Sequence, residues 1–479
     1  MTTSLKQKTI KGIIWSTLER FSVQGVQFII MIIMARMLTP NDYGLVGMLT
    51  VFIAVSQSLV DSGFSQALIR KLNRTETDNS TVFYFNIVVG FILYGFLFVA
   101  APLIADFYKE PQLILITRVI GLSVLFNSFV VVQQTLLTVK IDFKTQAKAA
   151  LISTIVSGLL GIWMAASGYG VWSIVAQQLA NLGITTILLW YFAHWRPRLI
   201  YSWQSFHELF GFGSKLMISG LIDTIFRNIY LIVIGRMFSA ADLGYYTRAH
   251  QFTDFPSSNL TGILQRVTYP ILCSIQNEDE RLANVYRKFL KLSAFIVFPL
   301  MMGLAAVAKP LVLVLLKEQW LFTASLLSII CFSMMWYPIH AINLNLLKVK
   351  GRSDLFLKLE IYKKIISITI LCITIPMGLI AMCIGSFFSS MIALIINTYY
   401  TGKLIKVGYL RQMHDLFPTF ILSISMGGTV YFMINQLPFS NFWLLAIGIC
   451  IGIIYYVSLS LFFKFSEFQE LLELIKRRK

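Results

Sequence analysis

The side chains in this chain that could do chemistry are charges set inside long apolar runs. Glu19 and Arg20 interrupt the first run, Asp223 and Arg227 stand one helical turn apart in the seventh, and Arg248 and Asp254 share the eighth. Arg118 lies toward the outer end of the fourth. An ionised side chain near the centre of a bilayer costs about 2.5–3.5 kcal/mol on insertion scales, so each needs a partner or a water-filled cavity. Arginine has a planar fork that grips phosphate oxygens bidentately. Arg20, Arg227, Arg248 and Arg118 are therefore candidate cavity cations for an anionic headgroup, and Glu19, Asp223 and Asp254 are candidates for coupling to Na⁺ or H⁺.

Each has a plainer reading beside it. Asp223 and Arg227 can pair on one helix face and only pin a bundle interior. Asp254 precedes Pro256, whose ring either frees backbone groups for a cavity or simply kinks the helix. Glu19 and Arg20 point about 100° apart, so they do not neutralise each other and one of them faces inward. Arg118 can snorkel to the interface, as can Lys215, Lys358, Lys363 and Lys364, with Glu360 beside them. His340 reads as a satisfied core histidine and Asp61 as a solvated end residue. The five cysteines show no C-x-x-C pairing, so neither a disulfide framework nor a metal site is expected, and no cofactor is implied.

These residues must be positioned by membrane helices. Of the 479 residues, 57% are hydrophobic and only 13% charged, against a usual quarter or so charged in soluble domains. That composition excludes a soluble enzyme. The net charge of +18 would suit nucleic acid if it formed one face, but the basic residues sit in short clusters between apolar runs, as membrane topology requires. Runs of about 20 apolar residues predict fourteen spans, near 12–34, 43–63, 82–104, 113–137, 149–166, 170–193, 213–235, 243–265, 288–308, 322–346, 357–378, 380–401, 414–434 and 440–463. The first is expected to be a retained helix and not a cleaved signal. Alternate connections hold clusters such as Arg70, Lys71 and Arg74 or Arg281, Arg287, Lys288 and Lys291, while the opposite face shows only Arg36, Lys109, Arg236, Lys309 and Lys317. Both termini are accordingly placed in the cytoplasm.

A repeat organises the spans. The pattern R-M-x-x-x-x-D-x-G occurs at Arg36, Asp42 and Gly44 and again at Arg236, Asp242 and Gly244, an offset of 200 residues. Six spans separate the copies, so both halves enter the membrane in the same direction. The expected fold is an all-α polytopic bundle. It has a six-helix bundle at 1–199, a second at 200–405 related to the first by a parallel pseudo-two-fold axis, two additional spans at 406–463 and an amphipathic tail at 464–479. Within the motif the aspartates are read as helix caps and the arginines as interfacial anchors. Two amphipathic stretches, around Trp203, Phe206 and Phe210 and around Phe468, Leu471, Leu472 and Ile475, are read as anchors on the inner leaflet.

The motif copies carry a family likeness. Ala35 to Gly47 (ARMLTPNDYGLVG), Leu209 to Leu216 (LFGFGSKL) and Ile234 to Pro256 (IGRMFSAADLGYYTRAHQFTDFP) resemble the polysaccharide-transport branch of the MOP flippase superfamily. Within it the likeness is to the colanic-acid and teichuronic-acid exporter type, related to the O-antigen repeat-unit flippases. The resemblance implies a V-shaped transporter that moves an undecaprenyl-diphosphate-linked oligosaccharide from the inner to the outer leaflet by alternating access. It implies no binding residue, because no residue-level substrate motif is shared across the branch. A membrane potential negative inside favours expelling an anion by about 2.3 kcal/mol per charge per 100 mV, and no G-x-x-x-x-G-K-[ST] nucleotide loop is present. Competing readings are a cation-coupled multidrug antiporter of the same superfamily, a lipid II flippase and a membrane polysaccharide polymerase. The last would need paired acids on a sizeable outer loop.

Overall fold

The computed structural model describes residues 22–61 and 63–476, and all of their regular structure is helical. Glu19, Arg20 and the basic residues at both ends of the chain lie outside the described residues. In chain order the helices are α1 (Ser22–Ala35), α2 (Pro40–Asp61), α3 (Phe64–Arg70), α4 (Glu76–Tyr108), α5 (Leu113–Ile120), α6 (Leu122–Val139), α7 (Phe143–Ala166), α8 (Val171–Phe192), α9 (Trp203–Arg227), α10 (Ile229–Met237) and α11 (Ala240–Ser274). They continue as α12 (Asp279–Ala306), α13 (Ala308–Leu316), α14 (Leu321–Met334), α15 (Tyr337–Val349), α16 (Ser353–Thr374), α17 (Leu379–Ile405), α18 (Tyr409–Gln436), α19 (Asn441–Phe462) and α20 (Ser466–Lys476).

Eleven segments among the described residues are long and apolar enough to cross a membrane, fewer than the fourteen expected. The difference has local causes. Only 14 residues of α1 are described. The 35 residues of α11 include Arg248, His250, Asp254 and Arg266. The apolar turns of α16 are interrupted by Lys358, Glu360, Lys363 and Lys364. The seventh expected span, 213–235, is still represented among the eleven by α9, although its apolar run is divided at Asn228 between α9 and α10. This is a multi-pass membrane protein.

Helix starts follow from the sequence. Thr75 caps α4 in a reciprocal box with Asp78, and the side chains of Asp142 and Ser202 accept from backbone N–H groups to cap α7 and α9. Prolines sit inside α4, α11, α12 and α18 without ending them, which membrane helices tolerate when neighbours satisfy the freed carbonyls.

The chain divides into two compact units, Met1–Gly244 and Tyr245–Lys479. In the first, α7 lies along α8, and α4, α6 and α8 pack together. Lipid gives no hydrophobic drive between helices, so close approach of small residues matters. A Cβ on Gly158 would stand 2.1 Å from Ile30, and one on Gly161 3.0 Å from Gln177. At one end of this unit Phe64, Leu68, Val82, Phe83, Val132 and Leu209 form a buried cluster. Phe206 and Phe210 pack on Phe64 with ring centroids 6.0 Å apart, so this stretch opens α9 as part of the protein core and does not lie apart as a surface anchor. In the second unit α12 lies along α18, and Ala306, Val307, Val430 and Ile434 form its buried cluster. The tail helix α20 belongs to this unit: Phe468 packs against Phe295 at 6.3 Å and Glu470 pairs with Lys288 at 2.7 Å. Its acidic face finds lysines on α12, Glu470 at Lys288 and Glu467 near Lys291, and Phe468 is half-buried beside them.

Candidate functional site

In the first unit the functional candidates gather on α9. Its lower half is clamped. Gly63 takes a left-handed φ of +68°, and a Cβ there would meet the Gly213 carbonyl at 2.4 Å, so backbone lies on backbone. Arg70 stacks over Phe212 at 4.4 Å. Lys71 bridges Asp78 at 3.0 Å and Glu208 at 2.9 Å. Burial alone would pull the Lys71 ammonium down, but hydrogen bonds to Glu208 and Asp78 hold it above the ordinary lysine range.

Beyond the clamp, Lys215, Ser219, Asp223 and Arg227 recur every four residues and form a polar stripe along one side of α9. Arg227 Nη2 lies 2.8 Å from Asp223 Oδ2, with the two side chains 76% and 49% exposed. The pair stands where the helix breaks: Asn228 turns its amide to the Thr224 carbonyl at 2.8 Å and caps the end of α9. Within a segment apolar enough to span a membrane, so exposed a pair is unfavourable against hydrocarbon and favourable against water. An exposed i,i+4 ion pair is worth only about 0.3–0.5 kcal/mol, so this pair does little to fasten the helix.

The second unit places its candidates differently. Arg248 is 6% exposed, and its Nη1 donates to Gln251 Oε1 at 2.5 Å. Asp254 is exposed, one turn from the half-buried His250. His340 is enclosed, its Nε2 2.9 Å from Ser390 Oγ and its Nδ1 3.1 Å from the Asn397 amide nitrogen. Lys363 and Glu360 form an ion pair at 2.5 Å. Arg118, back in the first unit, lies 4.5 Å over the Phe98 ring, with Nε donating to the Phe98 carbonyl at 3.4 Å. That guanidinium is engaged with α4. Asp61 accepts from the Ser65 hydroxyl.

The two motif copies have matching local geometry. Thr39 N–H donates to Asp42 Oδ2 at 2.9 Å, and Ser239 N–H to Asp242 Oδ2 at 3.1 Å. Each aspartate N–H donates back to the hydroxyl of that residue, closing a reciprocal box. Gly44 and Gly244 serve the same contact from both sides: a Cβ on Gly44 would lie 1.6 Å from the Ala240 carbonyl oxygen, and one on Gly244 2.0 Å from that of Pro40. Pro40-x-x-x-Gly44 and Ala240-x-x-x-Gly244 thus cross as a small-residue pair at backbone distance. Arg236 rests over Phe107 at 5.2 Å, and Arg36 is exposed.

Sequence reasoning missed the strongest electrostatic feature. Asp415 accepts from Arg287 Nε and Nη2, both at 2.6 Å, and its side chain is 2% exposed. Lys291 lies 3.8 Å from Asp415 and 3.9 Å from Glu467. Beside them Gln412, Asn343, Thr401 and Tyr286 form a buried hydrogen-bonded network. No spacing along the chain signals these pairings. Among the described residues no group of three or more His, Cys, Asp or Glu could hold a metal ion.

A family model described as polysaccharide biosynthesis protein matches residues 33–325. The teichuronic acid biosynthesis protein TuaB of Bacillus subtilis is 26% identical over 355 residues, covering 74% of this chain and 73% of the relative. The lipopolysaccharide biosynthesis protein WzxC of Escherichia coli is 25% identical over 444 residues, covering 88% of each. Among solved structures, the lipid II flippase MurJ in an inward closed conformation matches with a TM-score of 0.75 at 15% identity, over 94% of this chain and 99% of that one. An inward-facing multidrug resistance MATE family transporter of the MOP superfamily matches with a TM-score of 0.64 at 16% identity, over 83% of this chain and all of that one. At such identities the structural likeness speaks for the fold. The chain, which carries this fold and the family pattern across more than half its length, belongs to the polysaccharide biosynthesis protein family within the MOP flippase superfamily.

Proposed function

We propose that this protein moves a lipid-linked oligosaccharide, the repeat unit of a polysaccharide on undecaprenyl diphosphate, from the inner to the outer leaflet of the bacterial cytoplasmic membrane by alternating access. In this reading fourteen spans form two six-helix bundles, 1–199 and 200–405, related by a parallel two-fold repeat. Two more spans follow at 406–463, and both termini are cytoplasmic. The observation that carries the site assignment is Arg227, 76% exposed at a helix break on a membrane-crossing segment. The names of the relatives, teichuronic acid and lipopolysaccharide biosynthesis, support the substrate class.

The chemistry asked of the protein is modest. No bond is made or broken, so the chain has only to lower the energy of a diphosphate and a polar glycan within the membrane. Arg227 offers a fork to the phosphate oxygens, Asp223 releases it, and Lys215 and Ser219 continue the polar stripe. Asp223 and Asp254 are the carboxylates through which Na⁺ or H⁺ would couple. Arg20 and Glu19 take the same two roles from the first span.

The test is complementation. In cells that lack their own repeat-unit flippase but make the lipid-linked intermediate, this chain should restore surface glycan and relieve accumulation of the intermediate. A membrane-inserted protein that restores neither would overturn the proposal. Rescue of a peptidoglycan-flippase depletion instead would favour the lipid II reading.

A further inference from the structure

A groove lies away from the α9 stripe in the first unit. Phe129, Thr186, Ile187, Trp190, Tyr191 and Arg196 line a groove of about 390 Å³ on α6 and α8. Its apolar wall faces outward, with Ile187 69% and Tyr191 68% exposed on a helix apolar enough to cross a membrane. The cation at its rim is held in place. Arg196 Nη1 donates to the carbonyls of Trp190 at 2.5 Å and Trp195 at 2.9 Å, and the guanidinium lies 5.4 Å from the Trp190 ring centroid. Trp190 is itself fixed, its indole N–H donating to the Phe129 carbonyl at 2.8 Å and its ring packed on Phe83 at 5.7 Å.

These contacts close the last turn of α8, but they use one nitrogen of the fork. Among the described residues, Nε and Nη2 of Arg196 donate to no acceptor and no carboxylate pairs with it. The nearby Glu76 is taken by the Trp195 indole at 2.7 Å. A pinned, acid-free guanidinium above an apolar groove is complementary to a phosphate above an acyl chain. We infer that this groove binds an anionic glycerophospholipid of the surrounding bilayer, its phosphate on Arg196 and one chain along Ile187 and Tyr191.

Native mass spectrometry of the full-length protein, titrated separately with phosphatidylglycerol, diacylglycerol and undecaprenyl phosphate, tests this. Phosphatidylglycerol should be retained about tenfold better than diacylglycerol, which has the same chains and no phosphate, the size expected of charge-assisted hydrogen bonds. Arg196→Gln should remove that preference in protein that still elutes as a folded species in detergent. Equal retention of phosphatidylglycerol and diacylglycerol, an undiminished preference in Arg196→Gln, or tighter binding of undecaprenyl phosphate than of phosphatidylglycerol would each overturn the inference. Should Arg196→Gln fail to fold, Ile187→Trp decides, because it fills the groove without touching the cation. Loss of the preference supports the site, and its persistence refutes it.

Discussion

Two arginine–aspartate pairs in this protein use the same groups for opposite ends. Arg287 and Asp415 join α12 to α18 through two hydrogen bonds of 2.6 Å, with the carboxylate 2% exposed. Asp223 and Arg227 sit on one helix, meet at 2.8 Å and are 49% and 76% exposed. The first pair is multiply bonded around a desolvated carboxylate, so Asp415 without Arg287 would be a buried charge short of its main partner. The second is solvated and single, so it holds the fold together very little and its guanidinium stays open to another anion. Burial and bond count separate a fastening from a site, even where the residue types are identical.

Substitutions can break that contrast. The largest effect on stability is expected from Arg287→Ala, which strands the Asp415 carboxylate, 2% exposed: about 3–5 kcal/mol, read as a lower melting temperature and less protein in the membrane. Replacing both partners, as Arg287→Met with Asp415→Leu, should recover most of that loss. Gly44→Ala comes next. Its Cβ would lie 1.6 Å from the Ala240 carbonyl oxygen, so the two motif copies must separate, at about 1–3 kcal/mol or more, and Gly244→Ala should behave alike. Lys71→Met leaves Asp78, 1% exposed, without its cation and should cost about 1.5–3 kcal/mol. Arg227→Ala should change stability by no more than about 0.5 kcal/mol while lowering glycan export about tenfold or more, the loss expected of a charge-assisted contact to phosphate. Equal loss of protein level and export in Arg227→Ala would erase the distinction.

How much of this is legible along the chain depends on the range of each interaction. The apolar runs mark the helices because one residue after another must meet lipid, and the Asp223–Arg227 spacing is readable because a single helical turn decides it. The break at Asn228 is not readable, since Phe226 to Ile234 is apolar enough to continue a span. Arg287 and Asp415 are 128 residues apart and Lys71 and Glu208 are 137 apart, and no periodicity reports which helices meet. Arg118 stands in the sequence as an isolated cation, yet its partner ring is Phe98 on the neighbouring helix. The motif glycines are visible as a repeat, but that each receives the backbone of the other copy is a tertiary fact.

The most direct measurement is transfer of a fluorescent undecaprenyl-diphosphate-linked oligosaccharide across vesicles containing the purified protein, scored by a reagent that reaches only one leaflet. The wild-type chain and the folded Arg287→Met, Asp415→Leu variant should both move the label well above protein-free vesicles, and Arg227→Ala should be slower by about tenfold or more. Transfer no faster than in protein-free vesicles, or equal in Arg227→Ala and wild type, would contradict the assignment.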